Sequence, residues 1–273
     1  MPITLAHPVA VLPLARRLPL SALVAGAIAP DVVYYLPIPL GGAATHSLVG
    51  VLSWDLVIGV GLLLCFRLSA GPAAALFPFR IALPARVPAD GLRRLWVPVV
   101  AIALGALTHL AWDSCTQTAG FVVRHWPLLR APVVGPHTVY NVIGYASSLL
   151  GTAALAHYLV RRTSRRSSAP PVRWGRAIRT GLILAPVLGA VLAIDDPVTR
   201  ASSYDLVRHT IVGAAQGLGC AWTLYVLLWQ IRGFGSSRRP DTAESQGDHE
   251  GQRRDDGGGA ERGGHPADEG VRR

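Results

Sequence analysis

Five apolar runs restrict this chain more than anything else in it: about 48–66, 96–115, 139–160, 178–194 and 206–231, each long enough or nearly so to cross a bilayer as a helix. Within hydrocarbon a backbone must satisfy its own hydrogen bonds, and a lone apolar run does so as an α-helix. Hydrophobic residues make up 51% of the chain and charged residues only 15%, which fits a membrane protein. The expected fold is therefore all-α, a polytopic transmembrane helical bundle of five full spans plus an N-terminal broken helix or sixth span. Residues 3–38 carry that ambiguity, because Pro8, Pro13, Arg16, Arg17, Pro19 and Pro30 interrupt an otherwise apolar stretch. Either residues 3–30 form a re-entrant pair of short helices, or residues 20–38 make a sixth span. Cleavage of a leader after Ala29 would leave Pro30 at the cut, so the segment is expected in the mature protein.

Charge divides the chain into an integral membrane domain, 1–232, and a tail, 233–273. Up to Gly235 there are 19 Arg against 7 Asp and no Glu; the remainder holds 7 Arg and 9 acids with almost no apolar side chains. Such a tail cannot bury a core and is expected to be disordered and cytoplasmic. Every basic residue is Arg, which together with abundant Ala, Gly and Pro suggests a GC-rich bacterial genome. Five arginines lie in the connection from Arg67 to Leu95 and seven from Arg161 to Arg179, so both connections should face the cytoplasm of a bacterial cell (inner) membrane. The basic excess reads as this orienting signal plus contact with anionic membrane lipids; no nucleic-acid partner is expected. Cys65, Cys115 and Cys220 are odd in number and widely spaced, which gives no disulfide framework; they read as small core residues.

With that orientation, Asp31, Asp113, His46 and His109 fall toward the outward face from segments far apart in sequence. His109 and Asp113 stand one helical turn apart on one face, where both can turn toward a single cation. Asp55 lies within a span, where a charged carboxylate costs roughly 2.5–3.5 kcal/mol and is expected to face a polar interior. Asp195 and Asp196 read as exposed loop acids, and the Gly213, Gly217, Cys220 face as helix packing.

Four pieces occur in order: Leu5-Ala6-His7, Ala29-Pro30-Asp31, Thr45-His46-Ser47, and His109-x-x-x-Asp113-x-x-Thr116. Together with the opening MPITLAHPVAVLPL they resemble the integral membrane family catalogued as domain of unknown function 4184, over most of residues 1–232. More remotely the motifs in residues 7–120 are similar to the YdjM-type predicted membrane-bound metal-dependent hydrolases, and both resemble the zinc-dependent phospholipase C superfamily. The resemblance implies metal ligands at His7, Asp31, His46, His109 and Asp113, and a divalent metal, with zinc as the expected ion. The zinc phospholipases add a further histidine and an HxxxE pair, where this chain has His137-x-x-x-Asn141. Asn is a poor zinc ligand, so one or two metals are expected here and not three.

The functional expectation is an outward-facing metal site that hydrolyses phosphodiesters of lipids or lipid-linked envelope intermediates, with Asp55, or else a ligand carboxylate, as the catalytic proton acceptor. A noncatalytic scaffold held by a polar cluster and a transporter remain as alternatives. No internal repeat of the kind common in transporters is evident.

Overall fold

The computed structural model describes residues 4–77, 79–81, 91–165 and 174–236. Its first element is a 3-10 segment, Thr4–Arg16, in which Pro8 and Pro13 each remove a backbone donor. Helix α1, Leu20–Ile28, follows and passes directly into a second 3-10 segment, Ala29–Tyr34, begun by Pro30. The N-terminal region is thus built from short pieces, and no single helix covers residues 20–38. Two single-turn helices, α2 (Gly42–Thr45) and α3 (Leu48–Val51), lead into α4, Trp54–Leu76. Helix α4 continues through Arg67 and Pro72, beyond the apolar run that announces it.

Strand β1 (Phe79–Ile81) precedes α5, Arg93–Thr116. A short helix α6 (Phe121–His125), a 3-10 turn and the β2–β3 hairpin (Pro132–Val134 with His137–Thr138) then reach α7, Val139–Arg162. Strand β4 (Thr163–Arg165) pairs antiparallel with β1. Helices α8 (Gly175–Ile194) and α9 (Ser203–Ser236) complete the described chain. Among the described residues, five helical stretches are long and apolar enough to cross a membrane: Leu48–Leu76, Leu95–His125, Val139–Arg162, Gly175–Ile194 and Ser203–Ile231. The tail beyond Ser236 lies outside the described residues.

The core gathers around α1, which is enclosed by the first 3-10 segment, α4 and α5. Val11, Leu23, Leu63, Ala101 and Ile102 are buried there together. Two glycines set the α1–α5 distance. A Cβ on Gly105 would lie 2.8 Å from the Ala27 nitrogen and 3.0 Å from the Gly26 Cα, and would also meet the Leu23 carbonyl; one on Gly26 would overlap the backbone of Ile102. Only hydrogen at both positions lets the two backbones touch.

Elsewhere the helices are tied by a few polar contacts. On α9, Trp222 Nε1 donates to Ser69 Oγ (3.0 Å) and Tyr225 Oη to the Pro72 carbonyl (2.9 Å). The same helix meets α8 glycine on glycine, with Gly189 against Gly213 and Gly217, as expected for the small-residue face. Cys65 and Cys220 correct the sequence reading, for both are exposed. In a bundle facing lipid, an apolar helix position need not be an interior one. Asp195 and Asp196 are exposed as expected: Asp195 pairs with Arg200 at 3.3 Å, and Asp196 accepts from the Val198 amide.

Chain direction sorts the ends of the bundle. Helix α5 carries His109 and Asp113 near its C-terminus and begins at Arg93; at 1.5 Å per residue its 24 residues separate the two ends by about 36 Å. Helix α7 also finishes in arginines, Arg161 and Arg162, and the β1–β4 pair joins the chain just before α5 to the chain just after α7. The arginine-rich ends and the histidine–aspartate end are therefore opposite.

Candidate metal centre

Each motif residue has a local task. Pro30 starts the 3-10 turn that presents Asp31, and Thr45 Oγ1 donates to the Pro30 carbonyl at 2.9 Å, which fixes the second motif to the third. Ser47 Oγ accepts from the Gly50 amide and caps α3. His46, between the two hydroxyl residues, is thereby aimed at Asp31. From the other side, α5 brings His109 and Asp113, and Thr116 Oγ1 closes the helix end on the Trp112 carbonyl.

Four atoms converge: Asp31 Oδ1, His46 Nε2, His109 Nε2 and Asp113 Oδ2. His46 Nε2 lies 3.4 Å from Asp31 Oδ1 and 3.5 Å from Asp113 Oδ2; His109 Nε2 lies 3.6 and 3.3 Å from the same two oxygens. One ligand atom from each residue falls within 4.8 Å of all the others. These separations are long for charge-assisted hydrogen bonds, which run at about 2.7–2.9 Å. They are close to the spacing of about 3.3–3.4 Å between neighbouring ligands that each sit at the usual 2.0–2.1 Å from one zinc ion. Both Nε2 atoms are buried without a hydrogen-bond partner, so each presents a ring nitrogen to the same empty-handed point. Two imidazoles and two carboxylates are a donor set suited to zinc and related divalent ions. The cluster therefore fits a metal in the spacing of its histidine–carboxylate pairs and in its donor chemistry.

The atoms that face away are held too. His109 Nδ1 donates to the Ala27 carbonyl at 2.8 Å, and His46 Nδ1 to the Gly42 carbonyl at 3.0 Å, which leaves each Nε2 as the available nitrogen. Thr4 Oγ1 donates to Asp31 Oδ2 at 2.6 Å and stands 3.0 Å from the Tyr35 hydroxyl. Gln117 Nε2 donates to Asp113 Oδ2 at 3.4 Å. Sequence reasoning missed Thr4, Tyr35 and Gln117, because hydroxyl and amide residues have no spacing signature of their own.

His7 is brought into the cluster but stands one step back. Its Nε2 reaches Asp113 Oδ1, the oxygen not directed at the shared point, at 3.3 Å. Its ring stacks on His109 with centroids 3.9 Å apart, and the Trp112 ring is tilted beside it with centroids 5.4 Å apart. Asp55 is wholly buried on the first turn of α4, and neither carboxylate oxygen has a hydrogen-bond partner. It is outside the group of four. His137 and Asn141 do not join them: His137 is exposed on β3, and Asn141 Oδ1 accepts from the Thr138 amide and hydroxyl at the start of α7.

Burial alone would lower the pKa of His46, but Asp113 and Asp31 more than compensate and raise it to about 9 in the metal-free protein. His46 is also the most open member of the cluster, with 19% of its side chain exposed against 8% or less for His109, Asp31 and Asp113.

Fold and site together define a polytopic helical membrane protein with a buried two-histidine, two-aspartate cluster at one end of its bundle. Residues 1–227 match the family described as domain of unknown function (DUF4184), and the chain belongs to that family. No curated protein and no solved structure matches it.

Proposed function

We propose that Asp31, His46, His109 and Asp113 hold one divalent metal ion, zinc by preference, and that the site hydrolyses phosphodiester bonds of lipids or lipid-linked envelope intermediates. The carrying observation is that each of the two histidine Nε2 atoms lies 3.3–3.6 Å from a carboxylate oxygen of both Asp31 and Asp113 while neither has any other partner. A bound divalent ion supplies Lewis acidity, polarising a phosphoryl oxygen and lowering the pKa of water to about 7.

The chain's own residues do the rest. Thr4 and His7 fix the outer oxygens of the two carboxylates, and the Ala27 and Gly42 carbonyls fix the two imidazoles. Asp55 serves as the proton acceptor; its two unpartnered, buried oxygens support that role, since no internal donor competes for them. The orientation that supports an outward-facing site in a bacterial inner membrane is the arginine-rich opposite end, which the positive-inside rule assigns to the cytoplasm.

A second reading has a specific observation behind it. Four protein ligands are the usual complement of a structural zinc site, whereas catalytic zinc keeps a position open. On that reading the metal ties α5 to the N-terminal segments and turns nothing over.

Metal analysis of the purified protein tests the shared premise. Wild type should carry about one equivalent of zinc or manganese, and His109→Ala and Asp113→Ala should carry little. No metal in wild type, or unchanged metal in both variants, would overturn it. Hydrolysis of bis-p-nitrophenyl phosphate and of phospholipid vesicles then separates the two readings: activity that vanishes with chelator and in Asp55→Asn supports catalysis, and a metal-loaded but inert protein supports the structural role.

A further inference from the structure

The substrate class follows from what stands at the one open edge of the cluster. His109, Asp55 and His7 are sealed, and the two carboxylates nearly so, which leaves the His46 side as the approach. Tyr34 lines that side, its ring centroid 5.7 Å from that of His46. Over the Tyr34 ring, 6.0 Å from its centroid, stands the guanidinium of Arg208. This is a cation held on an aromatic face.

Arg208 stands near the start of its helix. It lies five residues into α9, a helix otherwise apolar enough to span a membrane, and it is exposed. Among the described residues no carboxylate pairs with it; Asp205, one turn earlier, accepts from Ser202. Nor is its place an accident of a loose helix. Two turns further along α9, Gln216 Nε2 donates to the Tyr35 carbonyl at 2.9 Å, so α9 is fastened to the same segment that supplies Asp31 and Tyr34. Adjacent residues Tyr34 and Tyr35 thus receive Arg208 and Gln216. The result is an unneutralised cation beside the entrance to a buried acidic cluster.

Building on the metal-site reading above, we propose that Arg208, steadied by Tyr34, recognises a phosphate oxyanion of the substrate as it enters past His46. Arginine suits this task because its planar donor fork matches two oxygens of a phosphate. Arg208 is a binding residue on this proposal and not a ligand of the metal. A neutral lipid or peptide would leave it unanswered; a phosphate-bearing molecule answers both the cation and the metal.

The experiment uses the full chain in detergent, with metal content measured for wild type, Arg208→Gln, Arg208→Lys and, as a control, Arg200→Gln on the 197–200 turn. Binding of inorganic phosphate and of dihexanoyl phosphatidylglycerol is titrated calorimetrically. Arg208→Gln should keep its metal yet bind phosphate or the lipid at least about tenfold more weakly, the factor carried by one charge-assisted hydrogen bond. Arg208→Lys should fall between, and Arg200→Gln should match wild type. Weakening of both probes assigns the oxyanion to phosphate itself, and weakening of the lipid alone assigns it to a headgroup; either supports the proposal. Equal affinity of wild type and Arg208→Gln for both probes, or no binding of either probe by wild type, overturns it. Failure of the metal-site reading shows separately, as absence of metal from wild type, because the phosphate comparison is read whether or not metal is present.

Discussion

Replacing Gly105 with alanine tests how the metal centre depends on one interhelical contact. The added methyl would sit 3.0 Å from the Gly26 Cα and 2.8 Å from the Ala27 nitrogen, and would overlap the Leu23 carbonyl. Carbon pairs settle at about 3.5–4.0 Å, so α1 and α5 must part by at least about 0.5 Å on the carbon pair alone. Overpacking of this kind costs about 1–3 kcal/mol. Alanine's better helix propensity returns up to about 1 kcal/mol, so a net loss must come from the contact. The displaced carbonyl matters more than the energy, because Ala27 O is what orients His109 through its 2.8 Å bond to Nδ1. Loss of such a partner typically lowers metal affinity 10–100-fold. The assay pairs thermal unfolding in detergent with competition against a chromogenic zinc chelator well below the melting temperature. Gly61→Ala and Gly219→Ala are the controls, since a methyl at either meets nothing within 4 Å. If Gly105→Ala melts with the controls and keeps wild-type metal affinity, the argument linking helix approach to ligand orientation is wrong.

Four further outcomes are expected. Thr4→Val removes the 2.6 Å donor to Asp31 Oδ2 and should weaken metal binding about tenfold in the chelator assay, with little change in melting. His46 titrates near pH 9 in the metal-free protein, above its ordinary 6.5, so its charged form contributes stability that is full below pH about 6.5 and lost as pH rises through about 9. The melting temperature of chelator-treated protein should fall over that window while metal affinity rises, and His46→Ala should weaken the melting trend. Gly213→Leu would press on Gly189 and Ala193 Cβ, separating α8 from α9; melting should drop with metal affinity kept, as read by the same two assays. In a background lacking Cys65, Cys115 and Cys220, Val134→Cys in the exposed hairpin should react with an impermeant maleimide in spheroplasts and Arg162→Cys should not; the reverse would invert the proposed orientation.

The spans were legible because hydropathy over some twenty residues is a bulk property that needs no knowledge of neighbours. Helix α4 overran its expected end because Arg67 and Pro72 look like a stop in sequence, yet the helix continues through both. Cys65 and Cys220 were misplaced for a related reason: hydropathy locates a residue in the membrane without saying whether it faces protein or lipid. At the site, the PD, THS and HxxxD pieces signalled that Asp31, His46, His109 and Asp113 belong together, and the chain brings them together. What the motifs could not carry was atomic detail. Whether His7 addresses the inner or outer oxygen of Asp113 depends on a ring orientation fixed by His109 and Trp112. The carbonyls of Ala27 and Gly42 are backbone groups, which any residue type supplies, and Arg208 meets Tyr34 across 174 positions of chain with no pattern to announce it.

The broken N-terminal segment also has a bearing on biogenesis. Its pieces, Thr4–Arg16 and Leu20–Ile28, are too short to settle across a bilayer alone, and beyond each other they pack on α4, α5 and α7, all later in the chain. During synthesis they must wait, partly sheltered by the insertion machinery, until about a hundred more residues have emerged and α5 has entered the membrane. Asp31 and His46 meet His109 and Asp113 only at that moment. Acquisition of metal would then become possible before α7, α8 and α9 complete the bundle, and a chain stalled before residue 113 would expose an unfinished binding site to the quality-control proteases of the membrane.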